Sequence, residues 1–121
     1  MNKPPAFPSV VDLGQDGPPG ESYRPDAARI LAGDPLQSVS NRFSSADGRF
    51  NCGIWDCQPG KWRVSFSESE FCQLLAGIVL VEGDDGSRHR FVAGDAFVMP
   101  AGFTGTWEVV EPARKYYAVY E

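Results

Sequence analysis

From Leu36 to Tyr120 the chain runs in short apolar and polar alternations broken by glycine and proline. The clearest stretch is Lys61 to Phe66. Trp62, Val64 and Phe66 fall on one side and Lys61, Arg63 and Ser65 on the other, the two-residue period of a strand with one buried face. Comparable runs cover Gln37 to Ser44, Arg49 to Asp56, Glu70 to Leu75, Gly77 to Glu82, Arg88 to Val92, Ala96 to Met99, Thr106 to Val110 and Lys115 to Tyr120. Turn signals separate them: Ala46-Asp47-Gly48, Pro59-Gly60 and the hairpin signature Gly83-Asp84-Asp85-Gly86. Gly77 reads as a bend between two runs. Short strands with closely spaced turns predict an all-β sandwich or closed barrel, because closure removes exposed strand edges.

The N-terminal part reads differently. Pro4-Pro5, Pro8 and Pro18-Pro19-Gly20 exclude a helix, so residues 1–22 are expected to form an extended arm, mobile or lying across a partner subunit. Residues 23–121 form the one domain. Arg24 to Gly33 is the single helix predicted: Pro25 suits its first position, Asp26 its first turn, Ala27-Ala28 its middle and Gly33 its end. So short a helix needs tertiary packing to persist.

Composition narrows the partners. The chain has 121 residues, a formal charge of −5 and no cluster of basic residues denser than Arg88-His89-Arg90. Such a surface repels phosphate backbones and anionic headgroups, so neither nucleic acid nor membrane is an expected partner. No apolar run approaches the ~20 residues that cross a bilayer, and residues 1–20 lack the apolar centre of a secretory leader. Cys52, Cys57 and Cys72 form no CxxC pair and are expected to be reduced thiols of a cytoplasmic protein.

Two segments carry a family resemblance. Gly60 to Gly77 contains Glu70 and, seven positions later, Gly77; Gly94-Asp-Ala-Phe-Val-Met-Pro100-Ala-Gly102-Phe-Thr-Gly105 supplies a second set of glycines around a proline. In this order, with the hairpin between them, they resemble the two motifs of the cupin family. Gly53-Ile54-Trp55, Glu70-Phe71-Cys72, Gly102 to Glu108 and Arg114 to Tyr117 are similar to the subgroup related to ureidoglycine aminohydrolase and ethanolamine-utilisation cupins, over roughly residues 33–120. The resemblance implies a small double-stranded β-helix, the jelly-roll barrel of cupins, with the arm and one short helix appended. It also implies a homodimer.

The resemblance breaks at the metal. Cupins hold one with two histidines and a glutamate of the first motif and a histidine of the second. Here Arg63 to Phe66 contains no histidine, the last position falls at Gly105, and only Glu70 remains. One carboxylate is short of the three or four ligands that hold zinc, iron or nickel, so no metal and no other cofactor is expected. His89, the only histidine, lies off these positions and reads as a surface residue.

Glu70 is expected to point into the barrel, as general acid or base or as an ordering charge. Lys115 and Tyr117 share a face of the last strand and are the candidate partners of Glu70 in catalysis. Arg63, Ser65, Cys72, Phe103 and Trp107 are the candidate ligand contacts; Cys72 reads first as a small buried hydrophobe, and the large rings first as packing. Three functions follow. The first is metal-independent binding of a small polar metabolite. The second is an acid–base isomerase, lyase or hydrolase acting on a ureido compound or sugar through Glu70 with Lys115 or Tyr117. The third is a dimeric structural protein without turnover.

Overall fold

A computed structural model of the chain describes residues 7–121. Nine strands pair antiparallel in one curled sheet: β1 (Glu21–Tyr23), β2 (Ile30–Gly33), β3 (Gln37–Ser44), β4 (Phe50–Cys57), β5 (Gly60–Ser65), β6 (Ser69–Gly83), β7 (Arg88–Val92), β8 (Ala96–Met99) and β9 (Thr104–Tyr120). The order is β1-β3-β4-β9-β5-β2. The long β6 pairs with β9 along one side and with β8 and β7 along the other. The result is a half-barrel of the cupin jelly-roll kind. Its two long strands replace the shorter runs read from the sequence: Glu70 to Leu75 joins Gly77 to Glu82, and Thr106 to Val110 joins Lys115 to Tyr120.

β6 stays continuous because its pairing with β9 shifts register between Leu74 and Val79. Gly77 lies in that shift with φ +91°, and a side chain there would run into the backbone of Glu111, Pro112 and Ala113. Across the shift the inward face passes from Cys72 and Leu74 to Val79 and Val81, all buried. These residues join Trp55, Cys57, Trp62, Met99, Trp107, Val109, Ala113 and Tyr117 in one core along the concave side.

The expected helix over Arg24 to Gly33 is a correction. Only Ala27–Arg29 turn, as a 3₁₀ helix capped by Asp26, whose carboxylate accepts the Ala28 N–H at 3.4 Å. Ile30–Gly33 instead pairs with β5, where Gly33 takes φ +69° against Gly60. A ten-residue segment gains little from helix propagation, while the open edge of β5 offers backbone partners to Ile30, Ala32 and Gly33.

Of the Pro-rich arm, residues 1–6 lie outside the described residues. Further on, the backbone carbonyls of Leu13, Gly14 and Gln15 accept hydrogen bonds from Arg42, Tyr116 and Arg114 of the same chain. Among the described residues no helix is long and apolar enough to cross a membrane.

Candidate functional site

The curl leaves an open cavity of about 660 Å³ on the concave side. Strand alternation decides which side chains reach it. β9 contributes Trp107, Lys115, Tyr117 and Val119, and β4 contributes Asn51 and Trp55. β5 adds Trp62 and Val64, β3 adds Gln37, Val39 and Asn41, and β6 adds Glu70. The mouth carries Tyr23 from β1 and Pro25, Asp26 and Arg29 from the segment that follows it.

Lys115 is the unusual member, a lysine only 5 % exposed. Its Nζ donates to Glu70 Oε2 at 2.7 Å and to Cys72 Sγ at 3.3 Å, and it lies 4.7 and 4.6 Å from the ring centroids of Trp55 and Trp107. The Cys72 thiol also donates to Glu70 Oε2, at 3.1 Å. Burial works against the lysine's charge, but its electrostatic and hydrogen-bond contacts with Cys72 and Glu70 outweigh that and hold its pKa above the ordinary value. The 2.7 Å contact with Glu70 favours the ammonium form. Burial pushes the Cys72 thiol up to about 12, so the sulfur beside it stays protonated.

The aromatic wall is fixed by amides. Trp55 Nε1 donates to the buried Gln37 Oε1 at 2.9 Å, and the Tyr117 hydroxyl donates to Asn41 Oδ1 at 2.8 Å. Burial pushes the Tyr117 phenol up to about 12. Trp107 meets Trp55 edge-on, at a centroid distance of 6.0 Å.

The sequence candidates therefore divide. Glu70, Lys115 and Cys72 converge. Tyr117 shares the cavity but its hydroxyl is turned to Asn41, and Trp107 forms wall. Arg63 and Ser65 also line the cavity, and the Arg63 guanidinium forks onto Asp84 of the hairpin at 2.7 and 2.9 Å, which holds that carboxyl well below its usual range. Phe103 stands off the cavity, edge-on to Phe66 at 6.2 Å. The sequence reading passed over Trp55, Gln37, Asn41 and Tyr23. For Trp55 a signal existed, since Gly53, Trp55 and Cys57 alternate within β4. For Gln37 and Asn41 none did, because polar residues on an inward face look like the outward face of any strand.

The metal of a standard cupin does not fit these residues. Among the described residues no three His, Cys, Asp or Glu side chains gather as a ligand set. The inward positions of the first-motif strand are Val64 and, just beyond its end, Phe66, both packed against the core. A side chain on Gly105 would overlap the Glu82 carbonyl oxygen and stand 2.9 Å from Phe103 Cζ, so the backbone leaves no room for a histidine there. Glu70 Oε2 already accepts from both Lys115 and Cys72. His89 is exposed on β7, stacked on Phe91.

Comparison with known proteins agrees with this architecture. No curated protein matches the chain. Among solved structures, a protein of unknown function of the DUF861 family from Pseudomonas syringae superposes with a TM-score of 0.82 at 24 % identity, over 88 % of this chain and 46 % of its own. The Clostridium difficile EutQ protein superposes with a TM-score of 0.63 at 18 % identity, over 71 % of this chain and 63 % of its own. A DUF861 family protein from Thermotoga maritima is 33 % identical over 53 % of this chain and 73 % of its own, with a TM-score of 0.52. The chain thus spans about half of the first of these proteins and under two-thirds of the second. The profile of the EutQ-like cupin domain matches residues 44–117, which include Glu70, Cys72, Lys115 and Tyr117. With more than half of its length matched and the half-barrel around it, the chain belongs to the EutQ-like cupin domain family.

Proposed function

We propose that the chain binds a small polar metabolite in its half-barrel without a metal. One observation carries the reading: a buried Lys115 paired with Glu70 at 2.7 Å at the floor of an open, aromatic-walled cavity of about 660 Å³. A buried ion pair is weak support for stability and is often matched by apolar packing, so keeping one at a cavity floor points to use. A cavity of this size with apolar walls and few convergent polar groups is the usual form of a small-ligand site. The test is a thermal-shift screen of organic acids, sugars and amide or ureido compounds, followed by calorimetric titration of the hits. The expected result is at least one hit whose affinity drops about tenfold or more in Glu70→Gln, the loss typical of one charge-assisted hydrogen bond. A screen without hits, or hits indifferent to Glu70, would refute the reading.

A second reading, an acid–base isomerase, lyase or hydrolase, is favoured by the 2.7 Å contact between Glu70 and Lys115 beside open space. In it the carboxylate takes a proton and the ammonium supplies one. The Tyr117 hydroxyl, which shares the cavity, donates to Asn41 at 2.8 Å. A homodimer in the cytoplasm belongs to either reading. The three unpaired thiols and the exposed Phe71, Val98 and Tyr120 support it.

A further inference from the structure

The polar floor of the cavity has a definite donor and acceptor count. The Lys115 ammonium carries three N–H groups. Two meet Glu70 Oε2 and Cys72 Sγ, and the third has no acceptor among the described residues. Glu70 Oε2 accepts from both Lys115 and Cys72, while Oε1 accepts from no described side chain or backbone group. Both residues line the cavity. The floor therefore presents one strong donor and one strong acceptor side by side.

The charged side chains around the cavity occur with both signs. Lys115 answers Glu70 at 2.7 Å, Arg63 answers Asp84 at 2.7 Å, and Arg29 shares the mouth turn with Asp26. An incoming carboxylate drawn to Lys115 would stand almost as close to Glu70. At a protein-like dielectric the attraction and the repulsion are each about 4 kcal/mol at 4 Å, so they nearly cancel. What is left is the cost of stripping water from the carboxylate. The argument inverts for an incoming cation, which Glu70 attracts and Lys115 repels. A neutral group that carries an acceptor and a donor together escapes both terms and makes two charge-assisted hydrogen bonds. Trp55, Trp62 and Trp107 on the walls suit a flat body behind that group.

We propose that the Lys115–Glu70 pair is a recognition head for a neutral, planar ligand group with acceptor and donor side by side, a carboxamide or its like. The proposal rests on the cavity being a ligand site and adds the class of ligand. Benzamide, benzoate and benzamidine have nearly the same shape and differ in charge, so they separate the terms. In titrations followed by the indole N–H resonances of the intact chain, benzamide is expected to bind about tenfold or more tighter than either charged analogue, the factor one unpaired buried polar group commands. Glu70→Gln leaves Lys115 uncompensated and should move the preference to benzoate. Lys115→Met leaves Glu70 uncompensated and should move it to benzamidine. A role in stability alone predicts no exchange of preference. Benzoate or benzamidine binding tightest to the unaltered chain overturns the proposal, with or without folded variants. So does failure of all three to bind; hits of another class in the broader screen would then leave the binding reading intact.

Discussion

Replacing Glu70 by Gln removes one charge and almost no volume, and the structure sets what that does to folding. At 2.7 Å and an effective dielectric near 20, the attraction between Glu70 and Lys115 is about 6 kcal/mol before desolvation is counted. The Glu70 side chain is 17 % exposed against 6 % for Lys115, so water screens the carboxylate end and the net value is smaller. Breaking a buried pair from one side costs about 3–5 kcal/mol, because the surviving charge stays enclosed. Two contacts soften the loss. The Trp55 and Trp107 faces still attract the ammonium, about 0.5–2 kcal/mol each. The new amide oxygen still accepts one N–H. A loss of about 2–4 kcal/mol follows, a large share of the 5–15 kcal/mol that holds a domain folded.

Adding Lys115→Met in the same chain removes the stranded charge and keeps an unbranched apolar stem of similar length. The double variant should regain most of the loss, giving a coupling of about 2–3 kcal/mol between the two sites. Urea melts followed by tryptophan fluorescence measure all four corners. With a slope of roughly 1–2 kcal/mol per molar urea, Glu70→Gln moves the midpoint down by about 2 M. If Glu70→Gln costs less than about 0.5 kcal/mol, or if the two losses simply add, the pair is not the coupled buried unit described here.

Two further outcomes follow from the interior. Cys57 and Cys72 are pushed up to about 12 by burial, Tyr117 likewise, and Lys115 is raised despite burial by its contacts with Cys72 and Glu70, so the folded chain holds these protons more tightly than the unfolded one. Stability is then full below the unfolded thiol pKa and falls as pH rises from about 9 toward 12, by about 1.4 kcal/mol per pH unit for each thiol. Urea midpoints between pH 7.5 and 10.5 under reducing conditions would show it, and a flat profile would contradict it. Gly105→Ala forces a methyl group onto the Glu82 carbonyl and should cost about 3 kcal/mol or more, or prevent folding. Gly86, at φ +88° with open space around it, should lose only about 1 kcal/mol in the same exchange. Equal thermal melts for the two variants would show that the tight packing at Gly105 is not real.

The strands were legible because each has one face in the core and one outside, and that contrast writes itself as alternation. Gln37–Ser44, Arg88–Val92 and Ala96–Met99 have the bounds the pattern predicts. Continuity was not legible. β6 and β9 pass through register shifts, where the period breaks although the pairing resumes, so each reads as two runs. The false helix over Arg24 to Gly33 has the same origin in reverse. Its residues carry local helix signals, and the free edge of β5, a partner far along the chain, overrides them.

The site was half legible for a related reason. Glu70 is marked by its distance from Gly77, and Lys115 and Tyr117 by their shared face. Their meeting is not a cross-strand pairing, however. In the register of β6 on β9, Glu70 stands opposite Val119, Cys72 opposite Tyr117, and Leu74 opposite Lys115. The ammonium reaches Glu70 only because a four-carbon stem leans back along the strand, past Cys72, between the faces of Trp55 and Trp107. Glycine stands where a fourth ligand would need a side chain, and valine and phenylalanine where histidines would point inward. The cup's positive charge is thus supplied by its own chain and tied to a carboxylate within it. A metal ion offers an uncompensated charge and exchangeable positions; this pair offers a fixed donor beside a fixed acceptor with no net charge. Of the groups a small metabolite can turn toward such a floor, the neutral one that both donates and accepts loses least water for what it gains.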